Sequence, residues 1–276
     1  MQKVEMKVKE DKKLSDVLLD YGFSYNAINK MLRNKDVRID NEKTSLDKNV
    51  FKGQQITAFC VELPKPKFEI VFEDENVVVV NKFSGIEVEG EDGLEGKIPG
   101  SIGVHRLDRN TEGLLIMAKN KQSEEILSNA IKAQCFEKRY LCEVVGSPNF
   151  NGEKYLAYLL KDSKNSQVKI YKSFVQNSVK IETIFKTLKK GKETSIVEAK
   201  LITGKTHQIR AHIAFLGFPI VGDGKYGKNE DNKKFKEKTQ KLFCYYLKLN
   251  GLYGELEYLN EKSFKKLPNW AGSLIV

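Results

Sequence analysis

Two short stretches concentrate the side chains that can move protons or hold charge. All three histidines, His105, His207 and His212, fall in them. The first stretch is Gly103-Val104-His105-Arg106-Leu107-Asp108-Arg109-Asn110-Thr111-Glu112-Gly113, which runs directly into the apolar Leu114-Leu115-Ile116-Met117-Ala118. Charged residues this close to a core segment must be paired or line a cleft. A carboxylate between Arg106 and Arg109 is expected to stay ionised, since adjacent positive charge favours its charged form. Such a carboxylate acts as nucleophile or base when it sits in a cleft. A structural ion pair in a loop accounts for the same residues. The second stretch is Thr203-Gly204-Lys205-Thr206-His207-Gln208-Ile209-Arg210-Ala211-His212. On a helix, Thr206 and Arg210 share a face, as do Gln208 and His212. Arg210 is suited to grip a carboxylate in bidentate fashion. Gly204-Lys205-Thr206 hints at a phosphate loop, but the full spacing of that loop is missing. His207 and His212 do not share a helical face, and no HExxH pattern or cysteine partner accompanies them, so no metal site is expected. A metal-dependent hydrolase using the three histidines is the rival class that metal analysis would test.

Other elements must position these stretches. Leu14, Val17, Leu18 and Tyr21 have helical spacing, Gly22 is a suitable stop, and Ser24 can cap a second helix carrying Ile28, Met31 and Leu32. Lys30, Arg33, Lys35 and Arg38 lie on or just after that helix. Val37 to Asp40 and Gln55 to Phe59 alternate like short strands. Residues 1–62 therefore read as a small separate unit, with 63–67, Leu-Pro-Lys-Pro-Lys, as a stiff linker. From 68 to 276 the pattern is strand-rich. Strands are expected at Val77–Val80, Leu114–Ala118, Tyr140–Val145, Ile196–Ile202, Phe243–Leu249 and Glu255–Leu259, and helices at Ser123–Cys135 and Thr206–Leu216. Lys225 to Lys241 reads as an exposed, partly helical loop. No regular βαβ repeat appears, so a mixed, mainly antiparallel α+β sheet is expected rather than a doubly wound fold.

Composition narrows the partners. The 276 residues carry a formal net charge of +10 and a sequence pI near 9.2, which favours polyanions, nucleic acid above all. A generally lysine-rich surface is the plainer explanation. Met1 to Lys13 lacks the apolar core of a signal peptide, and no apolar run approaches the roughly 20 residues of a membrane span. A soluble, cytoplasmic protein is expected, with Cys60, Cys135, Cys142 and Cys244 as buried free thiols, since no CxxC spacing is present.

His105-Arg106-Leu107-Asp108-Arg109-Asn110-Thr111-Glu112-Gly113-Leu114-Leu115 resembles the H-R-L-D-x-x-T-x-G-[LV]-[LV] signature of RluA-type pseudouridine synthases. Gly204 to His212 resembles their G-[RK]-x-H-Q-[IL]-R-x-H motif, and Lys138-Arg139-Tyr140 their K-x-Y motif. Asn81-Lys82-Phe83-Ser84-Gly85 resembles their N-K-P-x-G turn, with Phe83 in place of proline. Gly222 to Gly227 fits G-D-x-x-Y-G. The motifs keep family order over about residues 68 to 270. The first 62 residues resemble an S4-like RNA-binding domain of two short helices, a basic edge and a small hairpin. Where that domain often carries Gly-Asp before its last strand, this chain has Gly53-Gln54.

The resemblance implies a pseudouridine synthase fold and an isomerase that converts uridine in RNA to pseudouridine, without metal, nucleotide or redox cofactor. It implies Asp108 as the carboxylate beside the ribose, Arg210 as its positive partner, and Tyr140 as the group that stacks on the base and assists removal of its ring proton. The target base must leave its stack, and Arg106 is the candidate to fill the gap. His105, His207 and Lys138 are expected along the RNA-binding site, and Lys30, Arg33, Lys35 and Arg38 in the S4-like unit on phosphates. Large-subunit ribosomal RNA is the expected substrate, tRNA the alternative, and a monomer without membrane or small-molecule partners the default. A non-catalytic RNA-binding or ribosome-assembly protein of the same fold is the other alternative.

Overall fold

The computed structural model describes residues 1–61, 63, 67–162 and 166–271. Positions 64–66 of the expected linker lie outside them. The chain divides into two compact units, Met1–Lys67 and Phe68–Val276.

In the first unit a four-stranded antiparallel sheet runs Gln2–Lys7, Gln55–Cys60, Val37–Ile39, Glu42–Thr44. Its two helices are Leu14–Asp20 and Tyr25–Arg33. The Ser24 hydroxyl accepts from the Ala27 amide at 3.2 Å, which satisfies an otherwise orphaned donor of the second helix. Gly22, at φ +106°, ends the first helix in the left-handed region. Ile28, Met31 and Leu32 repeat at helical spacing and are buried with Leu14, Leu18, Val37 and Ile56. The strand Gln2–Lys7 was not expected. Val4, Met6 and Val8 alternate inward to the core, but the lysines and glutamates between them mask the period in a composition-level reading. At the Gly53–Gln54 turn the Gln54 side-chain oxygen accepts from the Phe51 amide at 2.8 Å, and its amide donates to Asp40 at 2.7 Å. The glutamine oxygen thus caps the turn as an aspartate oxygen would.

The second unit is built on one large sheet. In spatial order its main strands are Gln167–Tyr171, Asn151–Asp162, Val179–Lys189, Thr194–Leu201, Glu137–Val145, Leu242–Lys248, Glu112–Ala118, Val77–Lys82 and Phe68–Glu73. Among the described residues the only parallel pairing is Glu112–Ala118 with Leu242–Lys248, so the sheet is mixed and mainly antiparallel, as expected. Val77 to Val80 and Leu114 to Ala118 are fully buried, which is why they read as unbroken apolar runs rather than alternating ones. Helix Lys121–Lys132, capped by Asn120 accepting from the Ser123 amide at 2.8 Å, lays Ile126, Leu127 and Ala130 on that core.

Two expected elements differ. Glu255–Leu259 is not a strand but part of a 3₁₀ helix, Gly254–Leu259. Leu256 and Leu259 are both fully buried. Residues three apart eclipse in a 3₁₀ helix, whereas a strand would turn them to opposite faces. The helix expected from Thr206 begins at Gln208 and runs to Phe215, because His207 adopts left-handed φ +55°. Thr206 therefore shares no helical face with Arg210. All four cysteines are free, but Cys135 is only half-buried, lying just beyond its helix. Among the described residues no helix is long and apolar enough to cross a membrane.

Candidate active site

The loop carrying Asp108 is fixed before any substrate arrives. Gly113 follows it at φ +114°, and a Cβ there would meet the Cys244 carbonyl oxygen at 2.3 Å, so only glycine permits the parallel strands to touch. The Thr111 amide donates to the Asp108 carbonyl at 2.9 Å, and Gln240 Nε2 donates to Thr111 Oγ1 at 2.7 Å. Lys82 is fully buried and its ammonium donates to the carbonyls of Ile86 and Arg109 at 2.9 Å and of Phe83 at 3.2 Å. Burial lowers its pKa to about 8, against the pull of Glu87, Glu112 and Asp108. His105 Nε2 accepts from the Ile116 amide at 3.3 Å, taking a ladder donor that the short strand Ile102–Gly103 leaves open. Burial holds this imidazole far below its usual pKa, so it is neutral, with its proton assigned to Nδ1.

Arg210 comes from the first turn of helix Gln208–Phe215. Gln208 pins that turn: its oxygen accepts from Thr203 Oγ1 and the Lys205 amide, and its nitrogen donates to the Glu182 carbonyl and Thr183 Oγ1. All the capacity of this buried amide is used. Arg210 then spans two carboxylates. Nη1 donates to Asp108 Oδ2 at 2.7 Å, while Nε and Nη2 donate to Asp223 at 2.8 and 2.9 Å. Asp223 is fully buried and also accepts from the amides of Lys225 and Tyr226. Burial opposes the charge on both partners. For Arg210 the bonds to Asp223 and then Asp108 outweigh it, raising its pKa; for Asp223 the bonds from Arg210 outweigh it, lowering its pKa. The Arg210 guanidinium also lies 5.3 Å from the Tyr226 ring centroid. Tyr226 accepts from the Val168 amide at 2.9 Å and shares a 2.8 Å hydrogen bond with His207 Nδ1, whose Nε2 stands 3.8 Å from Asp108. Burial lowers the His207 pKa against the pull of Asp108.

The flanking arginines do not hold Asp108. Arg109 reaches the Gly85 carbonyl instead, at 3.5 Å, and Arg106 is exposed with no carboxylate partner among the described residues. The charge that meets Asp108 comes from Arg210, far along the chain. His212 faces away from the site: it is buried on Thr183 Oγ1 at 3.2 Å.

A cleft of about 500 Å³ brings together Asp108, Tyr140, Arg210, His105, Arg106, Lys138 and His207. Among the described residues lining it, Asp108 is the only carboxylate. Lys138 and Tyr140 alternate onto the same face of strand Glu137–Val145. Tyr140 is buried opposite Cys244, and burial, then Cys244 and Asp108, hold its hydroxyl well above the usual tyrosine pKa. Lys30, Arg33, Lys35 and Arg38 belong to the first unit. The first three are exposed; Arg38 is half-buried, stacked 5.2 Å from the Phe59 ring centroid. Sequence reasoning gave no role to Asp223, Lys82, Gln208 or Tyr226. Asp223 stood in a recognised glycine-rich motif, but nothing local names its arginine.

Residues 76–215, half of the chain, match the RNA pseudouridylate synthase family. The chain belongs to this family. This pseudouridine synthase is therefore an isomerase acting on uridine in RNA. It is 28% identical over 270 residues to ribosomal large subunit pseudouridine synthase C of Vibrio cholerae serotype O1, covering 88% of this chain and 82% of that one. It is 30% identical over 280 residues, 89% of each chain, to a protein of Mycoplasma capricolum named as an RNA pseudouridine synthase. The solved structure of human RNA Pseudouridylate Synthase Domain Containing 1 superposes with a TM-score of 0.65 at 24% identity, over 78% of this chain and 89% of that one, and shows the shared fold.

Proposed function

We propose that this pseudouridine synthase modifies uridines of large-subunit ribosomal RNA, with Asp108 as the catalytic carboxylate. The observation that carries the reading is Asp108 itself: the one carboxylate among the described residues that line the cleft, held at 2.7 Å by an arginine whose other donors are fixed on buried Asp223. Attack on the sugar carbon and removal of a sugar proton both need a carboxylate fixed beside the ribose. Arg210 positions it. Tyr140 enters as a phenol, so its ring stacks on the base, and its oxygen takes the ring proton only while passing its own onward. Arg106, exposed and without a carboxylate partner among the described residues, fills the gap left by the flipped nucleotide. His105 and His207, both neutral, shape the cleft. The first unit acts as an S4-like module that holds phosphates through Lys30, Arg33, Lys35 and Arg38. The ribosomal assignment is supported by relatives named for the large subunit.

The test is release of tritium from RNA labelled at uracil C5. Asp108→Asn should abolish release while RNA affinity stays within about threefold, because the amide keeps the shape but not the charge. Substantial turnover by this variant would remove Asp108 from the mechanism. Turnover of tRNA transcripts with none of ribosomal RNA would move the substrate.

A further inference from the structure

The cleft holds more positive charge than Asp108 requires. Arg106, Lys132 and Lys205 line it and are exposed. Inside stand Arg210 and Lys138. Arg210 is matched by two carboxylates. Lys138 is half-buried and has no carboxylate or hydrogen-bond acceptor among the described residues. The groups that face it are neutral: the His105 imidazole from the preceding loop, the Tyr140 phenol from its own strand, and the Cys244 thiol from strand Leu242–Lys248, whose pKa burial pushes up to about 12. An ammonium without a counter-charge in such a place is costly. An anion that forms there during turnover would offset the cost.

The isomerisation makes one. When the N1–C1′ bond breaks, its electron pair leaves with the uracil, which becomes an anion with charge spread over N1, O2 and O4. The electron-poor C1′ is met by the Asp108 carboxylate, either as a bond to C1′ or by loss of a sugar proton to it. After the base turns, C5 bonds to C1′, the carboxylate bond or proton is returned, the C5 proton passes to solvent by way of the Tyr140 oxygen, and N1, freed from the sugar, takes up a proton from solvent. The base is neutral before and after, and negative only between. We propose, on the reading that Asp108 drives this reaction, that Lys138 is a further catalytic residue: its ammonium contacts the detached uracil and balances its charge. A preformed charge that acts only on the intermediate accelerates the chemical step without tightening substrate binding. Lys138 transfers no proton in this role and must stay protonated. Burial lowers its pKa against a smaller opposing pull from Cys244, so its charge, and the rate, are lost as pH rises through a range below that of an ordinary lysine.

The experiment measures single-turnover tritium release and RNA affinity for the full chain on unmodified large-subunit rRNA and tRNA transcripts. Native turnover on either transcript tests the substrate reading first and separately, and the variants are then compared on the transcript that reacts. Lys138→Met should react about 100-fold more slowly at saturating RNA, with Kd within about threefold, in line with the roughly 10²–10³ lost with a preorganised charge-stabilising donor. Lys138→Arg should recover at least about tenfold of that loss. It should also hold its rate through the alkaline range in which the native rate falls, because a guanidinium keeps its proton. The alkaline comparison stands even if the methionine variant is poorly folded. A Lys138→Met rate within about threefold of native would overturn the proposal. So would a loss confined to Kd, which would make Lys138 a phosphate contact, or an alkaline limb that is the same in native protein and Lys138→Arg.

Discussion

Arg210 reaches Asp108 with one nitrogen because Asp223 occupies the other two, so the geometry of the proposed catalytic carboxylate depends on a residue that does not line the cleft. Replacing Asp223 by Asn keeps its size but leaves a buried guanidinium short of a counter-charge. Breaking a buried pair in this way costs about 3–5 kcal/mol. Asp223→Asn should therefore lower the unfolding midpoint in urea and, in the folded fraction, cut kcat more than it raises KM, since Arg210 no longer orients Asp108. Unchanged stability and turnover would show that Asp108 alone fixes the arginine. At this scale the sequence was informative about Asp108, Tyr140, Lys138 and Arg210, which stand in motifs of recognisable spacing and meet in one cleft. It was silent on Asp223, whose partner is supplied by a helix, and misleading about Arg106 and Arg109, whose nearness in the chain is not nearness of side chains.

Among the elements, helix Gln208–Phe215 has to be locked to the sheet for Arg210 to point at the cleft. Gln208 and His212 lock it, both through Thr183 of strand Val179–Lys189. Burial lowers the His212 pKa to about 4, so the folded chain refuses a proton that the unfolded chain accepts below about 6.5. The sign follows from linkage. Between those values the unfolded state binds more protons, so stability is full above pH 6.5 and is lost as pH falls towards 4, by up to about 3 kcal/mol. His212→Phe should flatten this part of the stability profile in urea titrations run from pH 4 to 7. Identical slopes in the two proteins would assign the acid sensitivity elsewhere. Elements whose burial is complete, Val77–Val80 and Leu114–Ala118, were legible as continuous apolar runs. The 3₁₀ segment Gly254–Leu259 was not, because two buried leucines in six residues fit several periods. The left-handed His207 that delays the helix has no signature in residue type.

For the whole molecule the relevant quantity is charge. The net +10 gives an electrostatic attraction to RNA that needs no sequence recognition. In the first unit Lys30 and Arg33 end helix Tyr25–Arg33, and Lys35 follows at left-handed φ +58°, so three exposed cations cluster within six residues of the chain. Arg38 differs: it is half-buried over Phe59, and its buried Nε has no acceptor among the described residues. If the three exposed cations neutralise phosphates, each contributes about 0.7–0.9 to the slope of log affinity against log salt. The triple variant Lys30→Ala, Arg33→Ala, Lys35→Ala should then reduce that slope by about 2 and weaken binding most at low salt. Its single-turnover rate at saturating RNA should equal that of the native chain, because none of the three lines the cleft. Affinity and slope unchanged across a salt series would deny this unit its proposed part in RNA binding. A slower saturated rate would instead give it a part in the chemical step.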